Sequence, residues 1–264
     1  MENKYNLPES FQEKFEDIYL PKWIKNLGVM SDLHIPYHSI KAITEALDYF
    51  IIKRVDGILL NGDVIDALKL SKYQPDPLKR DFGEEIFAFM AVIRAIKDAL
   101  PGVPIWYKLG NHEERYEKYM ITHCPELLAI PHFEFESVLQ CKELGLEVVK
   151  DQHVIYAGRC PIFHGHEVGL KSAAVNPARS LFLKIHADGL CSHLHRTSQH
   201  TEPSIHESIM TFSTGHLGDP HPKYASINRW NWGCLRVEKN EDGDFEVINV
   251  NLKDNKLFKA ATNG

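Results

Sequence analysis

Two carboxylates follow a short apolar run in the stretch LNGDVID, residues 60–66. Asp63 comes directly after Gly62, and Asp66 closes the stretch. Carboxylates beside a protein core disfavour folding unless they are paired, hydrogen-bonded or bound to a cation. Because glycine allows a sharp backbone turn, Gly62 can present Asp63 at the end of a strand. The stretch therefore predicts polar or metal chemistry at this point.

Four further polar clusters, rich in histidine, follow apolar runs. They read Asp32-Leu33-His34, Gly110-Asn111-His112-Glu113, His164-Gly165-His166 and Ser192-His193-Leu194-His195. Alternate side chains of a strand point the same way, so Asp32 and His34 are expected on one face. Histidine is a common metal ligand and acid–base group. A single Asp or His of this kind is more often a helix cap or a core residue, but the repeated pattern indicates a shared site.

The apolar patterns predict the elements that position these clusters. Predicted strands cover 24–34, 56–63 and 103–112, and predicted helices cover 39–55, with Ser39 as N-cap, and 82–100. Residues 113–150 are expected to be helical, followed by strands within 153–165, 187–195, 207–215, 233–240 and 244–252 and a helix near 177–186. The β-α-β-α-β order predicts parallel strands, beyond whose carboxyl ends a ligand site lies. We expect an α/β fold with two facing mixed sheets flanked by helices.

Bulk composition narrows the functional classes. The 264 residues are 44% hydrophobic, which suits one large domain, and the net charge of −6 provides no global basic field for nucleic acid or membranes. The five cysteines are scattered without a C-x-x-C pair, which predicts reduced thiols and a cytoplasmic location. No apolar run approaches the roughly 18 residues of a membrane span, so we expect no membrane partner.

The five clusters, in this order, resemble the motifs of the calcineurin-like metallophosphoesterase superfamily, in particular its stand-alone bacterial and phage-type members. The family motifs are D-x-H, G-D-x-x-D, G-N-H-E/D, a His often followed by Gly, and G-H-x-H. Ser192 stands where the last motif usually has Gly. The resemblance implies a four-layer α/β/β/α fold spanning 1–264 as a single domain, with the strands after residue 195 in the second sheet, and a metal-dependent phosphoric ester hydrolase.

The resemblance also implies two divalent metal ions bridged by Asp63. One ion would take Asp32, His34, Asp63 and His195, and the other would take Asp63, Asn111, His164 and His193. His166 is the alternative to His164. Mixed nitrogen and oxygen ligands suit Mn, Fe, Zn, Co or Ni, with Mn favoured. The two carboxylate ligands carry fewer negative charges than two divalent ions carry positive charges. The site therefore keeps a net positive charge, which favours a bridging hydroxide and an anionic substrate.

Three further residues have expected roles. By resemblance, His112 is a general acid that stabilises charge on the phosphate and protonates the leaving oxygen. Glu113 is expected to orient His112. Asp66 either orients a ligand or caps the following helix.

The motif details favour a phosphodiester of a nucleotide or nucleic acid as substrate, which includes nuclease activity. Ala67-Leu68 follow Asp66, unlike the Arg-Gly of the protein-phosphatase branch, and His112 stands where lipid-precursor pyrophosphatases usually have Arg. The tyrosine ligand of purple acid phosphatases does not appear in place. A small-molecule phosphomonoesterase and a non-catalytic metal-binding scaffold are the alternatives. The oligomeric state is left open.

Residues around the motifs could contact the substrate. The segment at about 115–150 is a possible lid, and its Phe133 and Phe135 could stack on a base, although core packing is favoured. Basic side chains near the site are Lys69, Lys72, Lys79, Arg80, Arg115 and Arg196. Each could bind a phosphate, although solvated surface charge is the favoured interpretation of each.

Overall fold

The computed structural model describes most of the chain. The described residues are 3–9, 11, 16–71, 82–150, 152–171, 174–203, 205, 208–222, 225–253 and 256–259. Their strands are β1 Ile18–Tyr19, β2 Asn26–Met30, β3 Gly57–Asn61, β4 Ile105–Lys108, β5 Leu146–Val149, β6 Ile155–Ala157, β7 Cys160–Ile162, β8 Gly189–Cys191, β9 Ser198–Glu202, β10 Ile209–Ser213, β11 Trp232–Lys239, β12 Phe245–Lys253 and β13 Lys256–Lys259. Their α-helices are α1 Ile40–Lys53, α2 Phe82–Ala99, α3 Glu114–His123, α4 Phe135–Val138 and α5 Pro177–Ile185.

The first sheet has the order β13-β12-β11-β2-β3-β4-β5. Strands β2, β3, β4 and β5 run parallel, which confirms the predicted β-α-β-α-β half, while β11, β12 and β13 extend the sheet in antiparallel pairing. Helix α1 begins as predicted, because the Ser39 hydroxyl accepts a hydrogen bond from the backbone N–H of Ala42 at 3.2 Å.

The second sheet is also mixed, with the order β1-β6-β7-β8-β10-β9. Strands β7, β8 and β10 run parallel, whereas β6 pairs antiparallel with β7 and β9 antiparallel with β10. Each sheet thus contains the parallel strands whose carboxyl ends carry the histidine-rich clusters.

Apolar side chains define four layers. Leu27, Leu59 and Trp106 from the first sheet pack with Leu190 and Phe212 from the second, and this core lies between the sheets. Alternate residues of the first sheet point the other way and form a second core with α1 and α2, and α5 covers the outer face of the second sheet. The expected α/β/β/α arrangement of two facing mixed sheets is therefore confirmed.

The structure corrects several predicted elements. Residues 146–149, expected to be helical, form β5, because the apolar residues of Leu-Glu-Val-Val pair alongside β4. Strands β11 and β12, expected in the second sheet, belong to the first, where β11 pairs with β2. Strands β1, β9 and β13 were not predicted, since two to five residues carry little periodic signal.

The remaining sequence predictions concern cysteines, aromatic and basic side chains, and membrane spans. All five cysteines are free thiols. Phe135 is buried in the core as expected, whereas Phe133 is exposed to 36%. Lys72, Lys79 and Arg80 lie outside the described residues. Within the described ranges, no helix has both the length and the apolar character needed to cross a membrane.

Candidate metal centre

The first two motifs meet where β2 and β3 end. Beyond the strands their backbones continue to pair, because the N–H of Asp32 donates to Gly62 O and the N–H of His34 donates to Asp63 O, both at 3.0 Å. Gly62 has a φ of +83°, and a Cβ at this position would lie 2.3 Å from the His164 ring. The predicted glycine turn is therefore required both by backbone conformation and by close packing.

Five of the histidine and aspartate residues at this site have left-handed backbones. Positive φ angles of 50–67° occur at Asp32, His34, Asp63, His193 and His195. Residues other than glycine rarely adopt this conformation, because Cβ approaches the neighbouring carbonyl oxygen. Concentration of such residues in one place is typical of functional sites, where the surrounding structure imposes the strain.

Asp32, His34 and His195 form the first cluster of possible ligand atoms. The Nε2 atoms of the two histidines are 3.2 Å apart, and Asp32 Oδ1 lies 3.3 Å from His195 Nε2. The other carboxylate oxygen of Asp32 accepts hydrogen bonds from Ser31 Oγ at 2.7 Å and from the N–H of His193 at 3.1 Å. Burial raises the pKa of Asp32, but His195 outweighs it and holds the pKa well below its usual range.

Asp63, His164 and His193 form a second cluster. His164 Nε2 lies 3.3 Å from Asp63 Oδ2, and its Nδ1 donates to Asn61 O at 2.7 Å. Such a hydrogen bond to Nδ1 orients an imidazole and leaves Nε2 for a metal. Burial disfavours the imidazolium, but Asp63 outweighs it and raises the pKa of His164 to about 10. Burial and the His164 charge lower the pKa of His193 to about 4.

Asp63 joins the two clusters. A third group of possible ligand atoms consists of His34, Asp63 and His112, so it contains His34 from the first cluster and Asp63 from the second. Its Oδ1 accepts a hydrogen bond from the N–H of His112 at 2.9 Å, and its Oδ2 lies 3.8 Å from His112 Nε2. A carboxylate between two sets of imidazoles can be a ligand of an ion bound by either set.

Ser192 and Asn61 connect the two sheets directly behind this cluster. Asn61 Nδ2 donates to Ser192 Oγ and to Phe163 O, both at 2.8 Å. Ser192 Oγ lies 3.1 Å from Asn61 O and 3.2 Å from His164 O, so the hydroxyl can donate to either carbonyl. Serine in place of the usual glycine therefore adds a buried hydrogen-bonded link beside His164.

Asp66 contacts two histidines at this site. Its Oδ1 accepts from His34 Nδ1 at 2.9 Å and lies 3.1 Å from His112 Nδ1. The turn that follows, Leu68–Leu70, has no side-chain cap. The two predicted roles of Asp66 are to orient a ligand and to cap the following helix. Its contacts with two imidazoles match the first of these roles. The contact with His34 leaves the Nε2 of that ring directed at the first cluster.

Glu113 has a different environment from the predicted one. Its carboxylate, expected to orient the His112 ring, accepts hydrogen bonds from the N–H groups of Asp63, Val64, Ile65 and Gly110 and from the Tyr107 hydroxyl at 2.7–3.3 Å. The carboxylate is directed into the protein, where the backbone that follows β3 offers several N–H groups. Glu113 thus fixes the loop that carries Asp63.

Replacement of Glu113 by Gln is expected to lower the free energy of unfolding by about 2–4 kcal/mol, because a carboxamide presents N–H groups to N–H donors and lacks the charge. Urea denaturation measures this difference. The matched control is Glu117→Gln, an exposed position on the following helix α3, which is expected to have little effect. Equal stability of the two variants would contradict the assigned role.

His166 does not share the environment of His164. Its Nε2 donates to Glu114 Oε1 at 2.9 Å, and its Nδ1 lies 3.4 Å from Glu167 Oε2. His166 is absent from the three groups of converging ligand atoms, whereas His164 is present. The pKa of Glu114 is lowered to about 2, and the main cause is the hydrogen bond from His166. Burial of the Glu114 carboxylate acts on this pKa in the opposite direction.

A buried ion pair that the sequence did not predict holds the His164 loop. Lys108 Nζ lies 3.3 Å from Glu167 Oε1, and both side chains are buried. The Glu167 carboxylate accepts hydrogen bonds from the N–H groups of His164 at 2.7 Å and Gly165 at 2.6 Å. Lys108 ends a strand that reads as apolar, so only the three-dimensional contact identifies this role.

Two aromatic residues behind the first cluster were also missed. His216 stacks on His195 with ring centroids 5.1 Å apart, and Trp230 meets His195 edge-on at 4.4 Å. These residues follow β10 and precede β11, far from the motifs in sequence. Their packing restricts the orientation of the His195 ring.

Glu85 is a further residue that the sequence did not single out. It lies on α2 with 1% of its surface exposed, and burial, followed by the charge of Asp66, raises its pKa to about 7. The raised pKa means that ionisation of Glu85 disfavours the folded state. An amphipathic helix gives no sequence signal for one buried carboxyl among its acidic residues.

Replacement of Glu85 by Gln is expected to stabilise the protein at alkaline pH. The cost of ionising Glu85 is absent below its unfolded pKa of 4.5, grows as pH rises towards 7 and is complete above that value. The variant should therefore gain about 2 kcal/mol at about pH 8 and little at about pH 5. Urea denaturation at both values tests this, with the exposed Glu126→Gln as control. A gain that is independent of pH would contradict it.

The donor set and its unsatisfied atoms fit a pair of divalent metal ions. Among the described residues, several buried atoms at the site have no hydrogen-bond partner, namely Asp32 Oδ1, Asn111 Oδ1, His164 Nε2 and His193 Nδ1. Buried polar atoms without partners are rare in folded proteins. Carboxylate, amide and imidazole donors together are typical ligands of first-row divalent metals. The clusters therefore fit a dinuclear site.

The sequence pattern of the calcineurin-like phosphoesterase family matches residues 25–204, which include every one of these clusters. The chain belongs to this family. As a calcineurin-like phosphoesterase it is a metal-dependent hydrolase of phosphate esters. The resemblance inferred from the motifs is thereby confirmed.

Individual relatives of this phosphoesterase are distant. It is 23% identical over 183 residues to the Gene 54 protein of Mycobacterium phage L5, which covers 65% of this chain and 69% of that protein. Among solved structures, it is similar to Vacuolar Protein Sorting 29 from Cryptosporidium parvum, with a TM-score of 0.46, 12% identity and coverage of 89% and 95% of the two chains. It is also similar to the phosphoesterase Yfce from E. coli, with a TM-score of 0.46, 15% identity and coverage of 88% and 96%.

Proposed function

We propose that this chain is a dinuclear-metal phosphodiesterase that hydrolyses a nucleotide or nucleic-acid phosphodiester. The observation that carries the proposal is the position of Asp63, whose carboxylate belongs to two of the three groups of converging ligand atoms and contacts His112. One shared carboxylate between two sets of imidazoles suits a two-metal phosphoesterase site.

The proposed ligands follow the two clusters. Asp32, His34, Asp63 and His195 would hold one ion, and Asp63, Asn111, His164 and His193 would hold the other. Manganese suits this mixture of oxygen and nitrogen donors. When bound, two such ions activate a water molecule and neutralise charge on the phosphate. The protein itself contributes only two carboxylates to this set, so the loaded site favours an anionic substrate.

His112 is proposed as the general acid for the leaving oxygen. Its Nδ1 lies 2.9 Å from the backbone oxygen of Asp66 and 3.1 Å from Asp66 Oδ1, and these contacts orient the ring. Its Nε2 lies on the same side as the Asp63 carboxylate, at 3.8 Å. An imidazole in this position can deliver a proton beside the metal centre.

The preference for a diester rests on the motif that follows β3. The residues after Asp66 are Ala67 and Leu68, so the arginine of the protein-phosphatase branch is absent at this point. The net charge of −6 argues against tight non-specific binding to duplex DNA, which depends on many cationic side chains. A nucleotide or a single-stranded segment is therefore the favoured substrate.

Hydrolysis of three substrates by the manganese-loaded protein tests this function. The substrates are bis(p-nitrophenyl) phosphate, p-nitrophenyl phosphate and a single-stranded oligodeoxynucleotide. We expect higher kcat/KM for the diester than for the monoester, cleavage of the oligonucleotide, and loss of all activity after chelation that is restored by manganese. Cleavage of the monoester alone would reject the diester assignment. Bound manganese without hydrolysis of any substrate would indicate a scaffold.

A further inference from the structure

Arg115 lies beside the proposed general acid and is not part of the machinery described so far. It is half-buried in the first turn of α3. Its Nη1 donates to Asp66 O at 2.8 Å, and its Nη2 is 2.9 Å from His112 Nε2. The guanidinium therefore touches the side of the His112 ring that faces the Asp63 carboxylate.

The contact assigns the protonation of the two His112 nitrogens. A guanidinium can only donate hydrogen bonds, so His112 Nε2 must accept from Arg115. His112 Nδ1 faces two oxygens of Asp66, which are acceptors, and it therefore carries the hydrogen. In this arrangement Arg115 occupies the Nε2 lone pair, so His112 can act as a general acid from Nε2 only after Arg115 has left and this nitrogen has taken up a proton from water.

The positive charge of Arg115 is not neutralised by an ion pair. Both of its acceptors, a peptide carbonyl and an imidazole nitrogen, are neutral groups. In the described part of the chain no carboxylate oxygen lies within 4.0 Å of its guanidinium. Of its five N–H groups, two are used in these bonds. A half-buried guanidinium with unused donors is suited to an anionic oxygen, above all that of a phosphate.

We propose that Arg115 binds a non-bridging oxygen of the substrate phosphate and leaves His112 Nε2 when the substrate enters. The inference rests on the proposed function, which places the phosphate next to His112. A substrate oxygen within hydrogen-bond distance of Nε2 must displace Nη2, which already lies 2.9 Å from that atom. The displaced guanidinium then requires a new acceptor, and the nearest incoming one is the phosphate itself.

The movement leaves His112 Nε2 in need of a new partner but keeps the other contacts of the ring. When Arg115 is released, Asp66 O keeps its hydrogen bond from His112 Nδ1 at 2.9 Å. His112 also keeps its position, because Asp66 holds the Nδ1 side of the ring. A single side-chain rearrangement thus couples phosphate binding to release of His112 Nε2, which takes up a proton from water and can then donate it to the leaving oxygen.

Equilibrium binding of inorganic phosphate to the manganese-loaded protein tests this role without turnover. Isothermal titration calorimetry would compare wild type with Arg115→Gln and Arg115→Lys. Removal of the guanidinium should raise the Kd for phosphate about 10–100-fold, the range for one charge-assisted contact. Lysine keeps the charge but lacks the planar fork, so its Kd should lie between the other two. Arg94→Gln, an exposed position on α2, is the matched control and should bind phosphate as wild type does.

Two outcomes would overturn the inference. One is an unchanged Kd in an Arg115→Gln protein with a native circular dichroism spectrum. The other is a raised Kd that coincides with loss of bound manganese, since Arg115 would then act through the metal ligands. If Arg115→Gln does not fold, Arg115→Lys decides, and a Kd equal to that of wild type counts against the role. Phosphate binding in the expected order without any diester hydrolysis would reject the proposed function and leave this inference intact.

Discussion

Asp63→Asn is expected to lower kcat/KM for the diester by about 10³-fold or more and to leave fewer than two manganese ions bound per chain. A two-metal site contributes several kcal/mol to transition-state stabilisation, and each 1.4 kcal/mol is a factor of ten. Asparagine has nearly the shape of aspartate, and its oxygen can still accept from the N–H of His112. The substitution therefore removes chiefly the negative charge that is proposed to bridge the two ions.

Elemental analysis and steady-state kinetics on the same preparation measure both effects. The control is Asp48→Asn, an exposed position on α1 that has the same change in charge and should behave as wild type. Full metal content with full activity in Asp63→Asn would exclude a bridging role for Asp63. Loss of activity with both ions retained would move the role of Asp63 from metal binding to substrate contact.

His112→Gln is expected to reduce kcat by about 10²–10⁴-fold, the usual contribution of a positioned general acid, while metal content stays at the wild-type level. The loss should depend on the leaving group. An alkoxide must be protonated as it departs, whereas p-nitrophenolate is stable as an anion. The reduction should therefore be larger for an oligonucleotide, whose leaving group is an alkoxide, than for bis(p-nitrophenyl) phosphate.

The matched control for His112→Gln is His132→Gln, because His132 is exposed outside the site. Comparison of the two variants with both classes of substrate separates loss of proton donation from general damage. An equal reduction for good and poor leaving groups would show that His112 acts on the phosphate charge and does not protonate the leaving oxygen.

The motifs predicted the composition of the site better than its internal contacts. Asp32 and Asp63 follow apolar runs that form neighbouring parallel strands, and His164 follows an apolar run that forms a strand of the facing sheet. The assignment of His164 over His166 depends on which ring faces Asp63, and the sequence leaves both choices open. The contacts of Glu113 could not be predicted because its partners are mostly backbone N–H groups, which have the same chemistry in every residue.

The fold shows the same division between local and long-range information. The pattern of residues 39–55 contains its own capping signal in Ser39, so the start of α1 could be predicted. The position of β11 beside β2 depends on pairing between segments that are far apart in sequence, and no local periodicity encodes that choice. The contact of Arg115 with His112 is different again, because a separation of three residues near a helix start is common and has no special meaning by itself.

The left-handed backbones at Asp32, His34, Asp63, His193 and His195 have an evolutionary consequence. Each such residue lowers the stability of the fold by about 1–2 kcal/mol relative to a glycine with the same backbone, and selection retains such costs only while they serve a function. In a lineage that no longer needed the hydrolysis, glycine or asparagine at these positions would be favoured, and the site would decay before the core. A descendant that had become a scaffold without activity should therefore be recognisable by glycine or asparagine at these five positions. This chain has aspartate or histidine at all five.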